Sequence, residues 1–209
     1  MSDRVKRNER RKAERPEEIL EAARQELAEN GIAGCTFANI AARAGISRTT
    51  IYLYFKTKQD VFEAVARNMV EQTIDAADAV IDAYEGPVEL LFERIVEMLY
   101  QRLVEGYAAV ILKALVAEGQ DHPEIVRFYH DEILSKGSAV FKKLLDLGVE
   151  RGEFAPFARE LDPRILVSPA IFAALWTLVF QPVSKLDVAS FRRDHIQVMM
   201  KGLKQPPEN

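Results

Sequence analysis

The segment Thr36–Phe62, TFANIAARAGISRTTIYLYFKTKQDVF, decides how the chain folds. Its apolar residues recur at intervals of three and four, which is the period of a helix face. Thr36 stands where an N-cap belongs, ahead of a helix to about Ala44 with Ile40, Ala41 and Ala44 inward. Gly45 is its C-terminal stop. Ser47 caps a second short helix, about 48–54. Thr57-Lys58-Gln59-Asp60 has the form of a capping box and opens a long helix through Val61, Phe62, Val65, Met69 and Ile74 to about Tyr84. Two short helices crossing steeply need a small residue at the crossing, a left-handed glycine at the turn and a branched apolar residue in the second helix. Ala41, Gly45 four residues on and Ile51 six after that supply them. One side of the second helix is then buried. Arg48, Thr49, Thr50 and Tyr52 or Tyr54 are left outward near its start, where side chains of such a helix reach base edges.

Outward from this segment the chain is read as helices throughout. Pro16 followed by Glu17 and Glu18 is a helix start, with acids on the positive end of the dipole. Ile19, Leu20, Ala23 and Leu27 form one face, Gly31 ends it, and the helix is expected over about 17–30. Beyond Glu85-Gly86-Pro87, helices are expected over 88–105, between Gly106 and Gly119, and over 124–150. Asp162-Pro163 and Ser168-Pro169 are rival starts for the next helix, and Asp187 opens the last. Period-two alternation is absent. The expectation is an all-α chain of about nine helices: a basic flexible tail over 1–16, a helix-turn-helix domain over 17–60, and a ligand-binding and dimerisation domain over 61–205.

Composition narrows the function. The 209 residues carry a net charge of −4, but residues 1–60 hold 12 Lys/Arg against 9 Asp/Glu, so the basic excess is local. It is sharpest in the tail, with Arg4, Lys6, Arg7, Arg10, Arg11, Lys12 and Arg15, a composition suited to phosphate. One cysteine, Cys35, and three scattered histidines argue against a disulfide framework or a structural metal site. No apolar run reaches the ~20 residues of a membrane span, and the charged N-terminus has no apolar signal core behind it. A cytoplasmic protein with no membrane partner, metal or cofactor is expected. No nucleophile elbow, phosphate-cradling glycine loop or metal-spaced ligand set marks an enzyme.

The quoted residues, with Ala44, Gly45, Ile46, Ser47, Thr50, Ile51, Tyr52, Tyr54, Phe55, Lys58, Val61 and Phe62 in order, resemble the signature of tetracycline-repressor-type (TetR family) regulators over about 17–65. The resemblance implies a homodimer that binds a double-stranded, inverted-repeat operator and is released by a small-molecule effector. It assigns Arg48, Thr49 and Tyr52 to bases, and Tyr54, Lys58 and Thr36 to phosphates or their vicinity. Ser47 and Thr50 border these, and Lys56 joins them on charge alone. Tyr52 also neighbours Ile51 and has a competing reading as a core aromatic. The pattern departs at Ala38, where the family often has a polar or basic residue; that contact is missing or moved to Asn39.

The body yields less. Ala170–Phe180 is apolar all round, so that helix is buried on every side. Val188, Phe191, His195, Val198 and Gly202 form a stripe on the last helix. Two such helices suit a four-helix interface across a two-fold axis, with Phe172, Leu175, Val179, Phe191, His195 and Val198 as its residues. Phe92, Gln101, Tyr107, Phe128, Phe172 and Trp176 are candidates for a largely apolar effector pocket, with Glu118 and His130 as further polar anchors. The expected function is a repressor released by a small, largely apolar effector. The alternative is a helical adaptor that binds protein through the acidic body without specific DNA recognition.

Overall fold

The computed structural model describes residues 2–104, 106 and 108–204. Among these the regular elements are helices: α1 Ser2–Gly34, α2 Phe37–Ala44, α3 Arg48–Ile51, α4 Lys58–Asp82, α5 Val88–Leu103, α6 Ala108–Glu118, α7 Pro123–Phe128, α8 Ser135–Glu150, α9 Arg164–Val179 and α10 Val188–Leu203. A π-helical stretch, Tyr129–Leu134, joins α7 to α8 without interruption. The described residues therefore make nine helical rods, and the long rod expected from 124 to 150 carries a wide turn inside it.

The helix starts follow the local chemistry. Thr57 and Asp60 cap reciprocally: the Asp60 N–H donates to Thr57 Oγ1 at 3.1 Å, and the Thr57 N–H donates to Asp60 Oδ2 at 3.0 Å. Asp187 caps α10 by accepting the Ser190 N–H at 3.0 Å. Of the rival starts for α9, the first is used, with Asp162 Oδ1 accepting the Arg164 N–H at 3.0 Å. Pro169 lies inside that helix. The first helix departs from expectation. Its backbone extends through Pro16 back to Ser2, a stretch rich in strong helix formers, instead of beginning near 17.

The chain divides into two compact units: Met1–Asn68 with Val110–Tyr129, and Met69–Ala109 with His130–Asn209. Most of α6, and α7, fall in the compact unit that holds the helix-turn-helix.

The first unit has a continuous core of Ile19, Ala23, Leu27, Ile32, Ile40, Ala41, Ile51, Val61, Phe62, Val65 and Ile111, all buried. At its seam, Glu118 at the end of α6 accepts backbone N–H groups from Ile32 at 3.0 Å and Ala33 at 2.6 Å. Gly31 makes this approach possible. Its φ of 67° suits glycine, and a Cβ there would fall 1.9 Å from Glu118 Oε1.

The second unit packs α5 against α8, α9 and α10 around Phe92, Tyr100, Leu91, Leu144, Leu145, Phe154 and Leu166. Several charged side chains close its ends. Glu153 accepts the Val88 N–H at 2.7 Å where α5 begins, and Lys143 bridges Asp78 at 2.9 Å and Asp82 at 2.7 Å. His195 is buried, with Nδ1 3.2 Å from the Tyr100 hydroxyl. Burial holds its imidazole down at about 4, offset in part by the Leu166 backbone, so the ring is neutral at neutral pH. His195 is therefore buried within its own chain beside Tyr100, and not exposed along the stripe as Val198 is.

Glu118→Gln keeps the shape of the seam but removes the charge and turns one acceptor into a donor facing an N–H. Hydrogen bonds to charged groups contribute about 1.5–3 kcal/mol. The variant is expected to lose about that much stability in urea unfolding and to exchange the Ile32 amide proton faster. An unchanged midpoint with unchanged exchange would show that the carboxylate does not hold this junction.

Candidate nucleic-acid interface

The interface is built outward from its caps. Thr36 Oγ1 accepts the Asn39 N–H at 3.2 Å and starts α2. Gly45 adopts the left-handed conformation at φ 64°, ψ 35°, and the Ile46 N–H closes onto the Ala41 carbonyl at 3.0 Å. Ser47 then starts α3 by accepting the Thr50 N–H at 3.1 Å. Its Oγ also lies 2.6 Å from Thr49 Oγ1 and 2.8 Å from Thr50 Oγ1, so the three hydroxyls form one small network. After Ile51 the helix tightens: the Leu53 N–H donates to the Thr50 carbonyl at 3.2 Å and the Tyr54 N–H to the Ile51 carbonyl at 2.9 Å.

Ile51 is wholly buried and fixes which side of this segment faces the protein. Arg48, Thr49, Tyr52 and Leu53 are exposed, while Thr50, Tyr54 and Phe55 are half-buried. Tyr52 packs its ring edge-on against Phe37 with centroids 4.9 Å apart and stays 52% exposed.

The cationic candidates differ in freedom. Lys56 is exposed. Lys58 donates from Nζ to the Ala33 carbonyl at 2.9 Å, which ties the start of α4 to the end of α1 and leaves two further N–H donors. The side chains of the basic residues before Arg15 lie outside the described residues. Asn39, the alternative to Ala38, turns its Nδ2 back onto the Gly34 carbonyl at 3.0 Å.

Sequence reading missed Arg43. Its Nε donates to Glu26 at 2.6 Å and its Nη atoms donate to Glu29, a strut from α2 to α1. Burial alone would raise the Glu26 carboxyl, but hydrogen bonds from Arg43 and Asn30 hold it below its usual value. Glu29 and Glu26 push the guanidinium further up. Arg43 is committed to these acids and not to an incoming phosphate.

In the second unit the expected interface residues other than His195 lie along an open apolar face. Phe172, Val179 and Val198 are exposed, and Leu175 and Phe191 are half-buried. Ile165, Phe172 and Val179 recur every seven residues along α9, and Phe191 and Val198 repeat that step on α10. Phe172 stacks on Phe191 at 5.8 Å and on Trp176 at 5.6 Å. The helix expected to be buried on every side therefore has one outer face open in the single chain.

The pocket candidates are dispersed. Phe92 is core, Gln101 is exposed, and Phe172 and Trp176 sit on the outer face of α9. Phe128 lies under the Arg67 guanidinium at 4.8 Å. Tyr107 lies outside the described residues. A cleft of about 540 Å³ between the end of α4 and α8 is lined by Ile81, Ala139, Leu147 and a set of paired charges, and none of the candidates lines it. Among the described residues no helix is long and apolar enough to cross a membrane.

Four likenesses bear on this geometry. The model of the family described as bacterial regulatory proteins, tetR family, matches residues 19–65. The HTH-type transcriptional repressor BepR of Brucella suis is 30% identical over 170 residues, 78% of this chain and 80% of that protein. Two crystal structures share the fold: a transcriptional regulator FadR from Bacillus subtilis in complex with stearoyl-CoA (TM-score 0.72, 22% identity, 88% of this chain and 97% of that one), and a putative transcriptional regulator from Saccharomonospora viridis in complex with choline (TM-score 0.76, 20% identity, 93% and 100%). The family match falls on the helix-turn-helix that the caps, Gly45 and Ile51 build. The chain belongs to the tetR family of bacterial regulatory proteins and is a DNA-binding transcriptional regulator.

Proposed function

We propose that the chain is a cytoplasmic, homodimeric repressor that grips an inverted-repeat operator through Arg48, Thr49 and Tyr52 and leaves it when a small, largely apolar effector occupies the body. The observation that carries this reading is the exposed set Arg48, Thr49 and Tyr52 on a helix whose opposite side is locked by Ile51. Arg48 offers a guanidinium fork to the O6 and N7 of guanine. Ser47, Thr50, Tyr54, Thr36, Lys56 and Lys58 serve the backbone around it, which positions the helix without reading sequence.

The open face along α9 and α10 supports the dimer. An apolar stripe with a seven-residue repeat on two adjacent helices fits a second copy of itself across a two-fold axis. Two recognition helices so related read half-sites about 34–36 Å apart, or a multiple of that. Effector chemistry is not fixed by the fold: similar folds hold stearoyl-CoA in one regulator and choline in another. The abundance of aromatic and aliphatic side chains in the second unit is what favours a largely apolar molecule here.

Three outcomes test the reading. Arg48→Ala should cost about 1–3 kcal/mol at one symmetric base-pair position and relax the preference there. Binding of the variant to a panel of single-base operator changes measures this, and an unaltered preference profile would remove Arg48 from the base-reading set. Val179→Glu with Val198→Glu places charges on exposed positions, so the protomer stays folded while the dimer separates in sedimentation; an intact dimer would put the interface elsewhere. An effector must bind operator-bound protein more weakly by the same factor by which it weakens operator binding. Titration of hydrophobic compounds followed by Trp176 emission, with and without operator, measures both factors, and a compound indifferent to operator is not the effector.

A further inference from the structure

Leu53 has no packing role that explains its position. It is 80% exposed, the most exposed large apolar residue among the described residues of the first unit. A single surface leucine is ordinary in itself. Its surroundings are not. The Ile51 side chain points into the core, and Leu53 lies two residues on, away from that side. Thr49, four residues earlier and also exposed, falls on the same side of the turn. Arg48 and Tyr52, assigned to bases together with Thr49, lie beside this pair and are exposed with it. A leucine therefore sits within the base-reading face, between polar groups that a fully solvated surface would favour at no cost.

The chemistry of the groove limits what it can recognise. A leucine side chain has no hydrogen-bond donor or acceptor. Among the features that base pairs present in the major groove, the apolar one is the C5-methyl group of thymine; the others are donors and acceptors. Leu53 set against guanine O6 or adenine N6 would cover a polar group without pairing it, at a cost. Set against a thymine methyl, it removes apolar surface from water on both sides of the contact.

We infer that Leu53 is a specificity-determining residue, reading a thymine in each operator half-site through its 5-methyl group. The inference rests on the reading of Arg48, Thr49 and Tyr52 as the groove-facing set. It adds an apolar contact to a hydrogen-bonding one. The operator half-site then carries a thymine close to the base pair that Arg48 reads, because the two residues are only five positions apart on the same exposed face.

The test uses the full-length protein and an operator recovered by selection from random duplexes. Each thymine is replaced by deoxyuridine, one symmetric pair at a time, which deletes the methyl and leaves every hydrogen-bonding group in place. For the wild type, one pair of positions is expected to weaken binding by roughly fourfold per half-site, the worth of one buried methylene-sized group. Leu53→Ala should bind the thymine operator more weakly and no longer distinguish thymine from deoxyuridine at that pair. Arg48→Ala should keep the distinction. The exposure of Leu53 means that its truncation leaves the fold intact, which a matched thermal midpoint verifies. If Leu53→Ala retains the wild-type discrimination, or if Thr49→Ala abolishes it instead, Leu53 is not the reader. If the wild type selects an operator yet ignores every thymine methyl, the inference fails and the DNA-reading face stands. If the wild type selects no sequence at all, the DNA-reading assignment of this face fails, and the inference with it.

Discussion

The Glu118 carboxylate, accepting the Ile32 and Ala33 amides over a residue that has to be glycine, sets the extent of the DNA-binding unit. The break in α1 at Gly31 frees N–H groups that a continuous helix would have paired. An anion supplied from 86 residues away satisfies two of them. That one side chain makes the end of α6 part of the same unit as the helix-turn-helix. The Lys58 ammonium closes the same junction from the other side by donating to the Ala33 carbonyl. The α1–α2 junction is thus held by one acid from α6 and one base from α4, and Arg43 adds the third tie through Glu26 and Glu29.

This arrangement explains how a four-residue helix can act as a reading head. A single turn has no stability of its own. Here Ser47 caps its start, Ile51 anchors its middle, and Tyr52 leans on Phe37 at its end. The backbone that carries the outward side chains is held in place before DNA arrives, which lowers the ordering cost of binding. The same logic separates the cations. Arg43 is engaged by Glu26, Glu29 and Gln25, whereas Lys56 is exposed and Lys58 keeps donors beyond its bond to Ala33.

How much of this was legible in the sequence depended on range. Caps, turns and the helix-turn-helix crossing are local, and Thr36, Gly45, Ser47, Ile51 and the Thr57–Asp60 box could be read from spacing because their partners lie within a few residues. The family likeness falls on the same local pattern. Pairings between distant segments left no such mark. Glu118 read as a pocket anchor, since nothing near it in sequence shows the Ile32 and Ala33 amides. His195 fell on the stripe of α10 by periodicity, but its partner, Tyr100, lies 95 residues away, and burial with that hydroxyl takes it off any outer surface. Residues of the first helix before Pro16 illustrate the opposite error: proline was read as a start, although strong helix formers precede it.

The pocket resisted reading for a different reason. A core aromatic and a ligand-lining aromatic are chosen by the same chemistry, so composition and period cannot separate Phe92, which is wholly buried, from Phe172, which lies open beside Phe191. The reading head has the reverse property. On a surface facing water and phosphate, polar residues are the default, and an apolar one stands out against them. Leu53 carries information because its environment gives it no other reason to be leucine, whereas Phe92 is packed in the core and Phe172 has Phe191 and Trp176 beside it. A residue's type is most informative about function where packing makes the fewest demands on it, and in this chain that place is the exposed turn from Arg48 to Leu53.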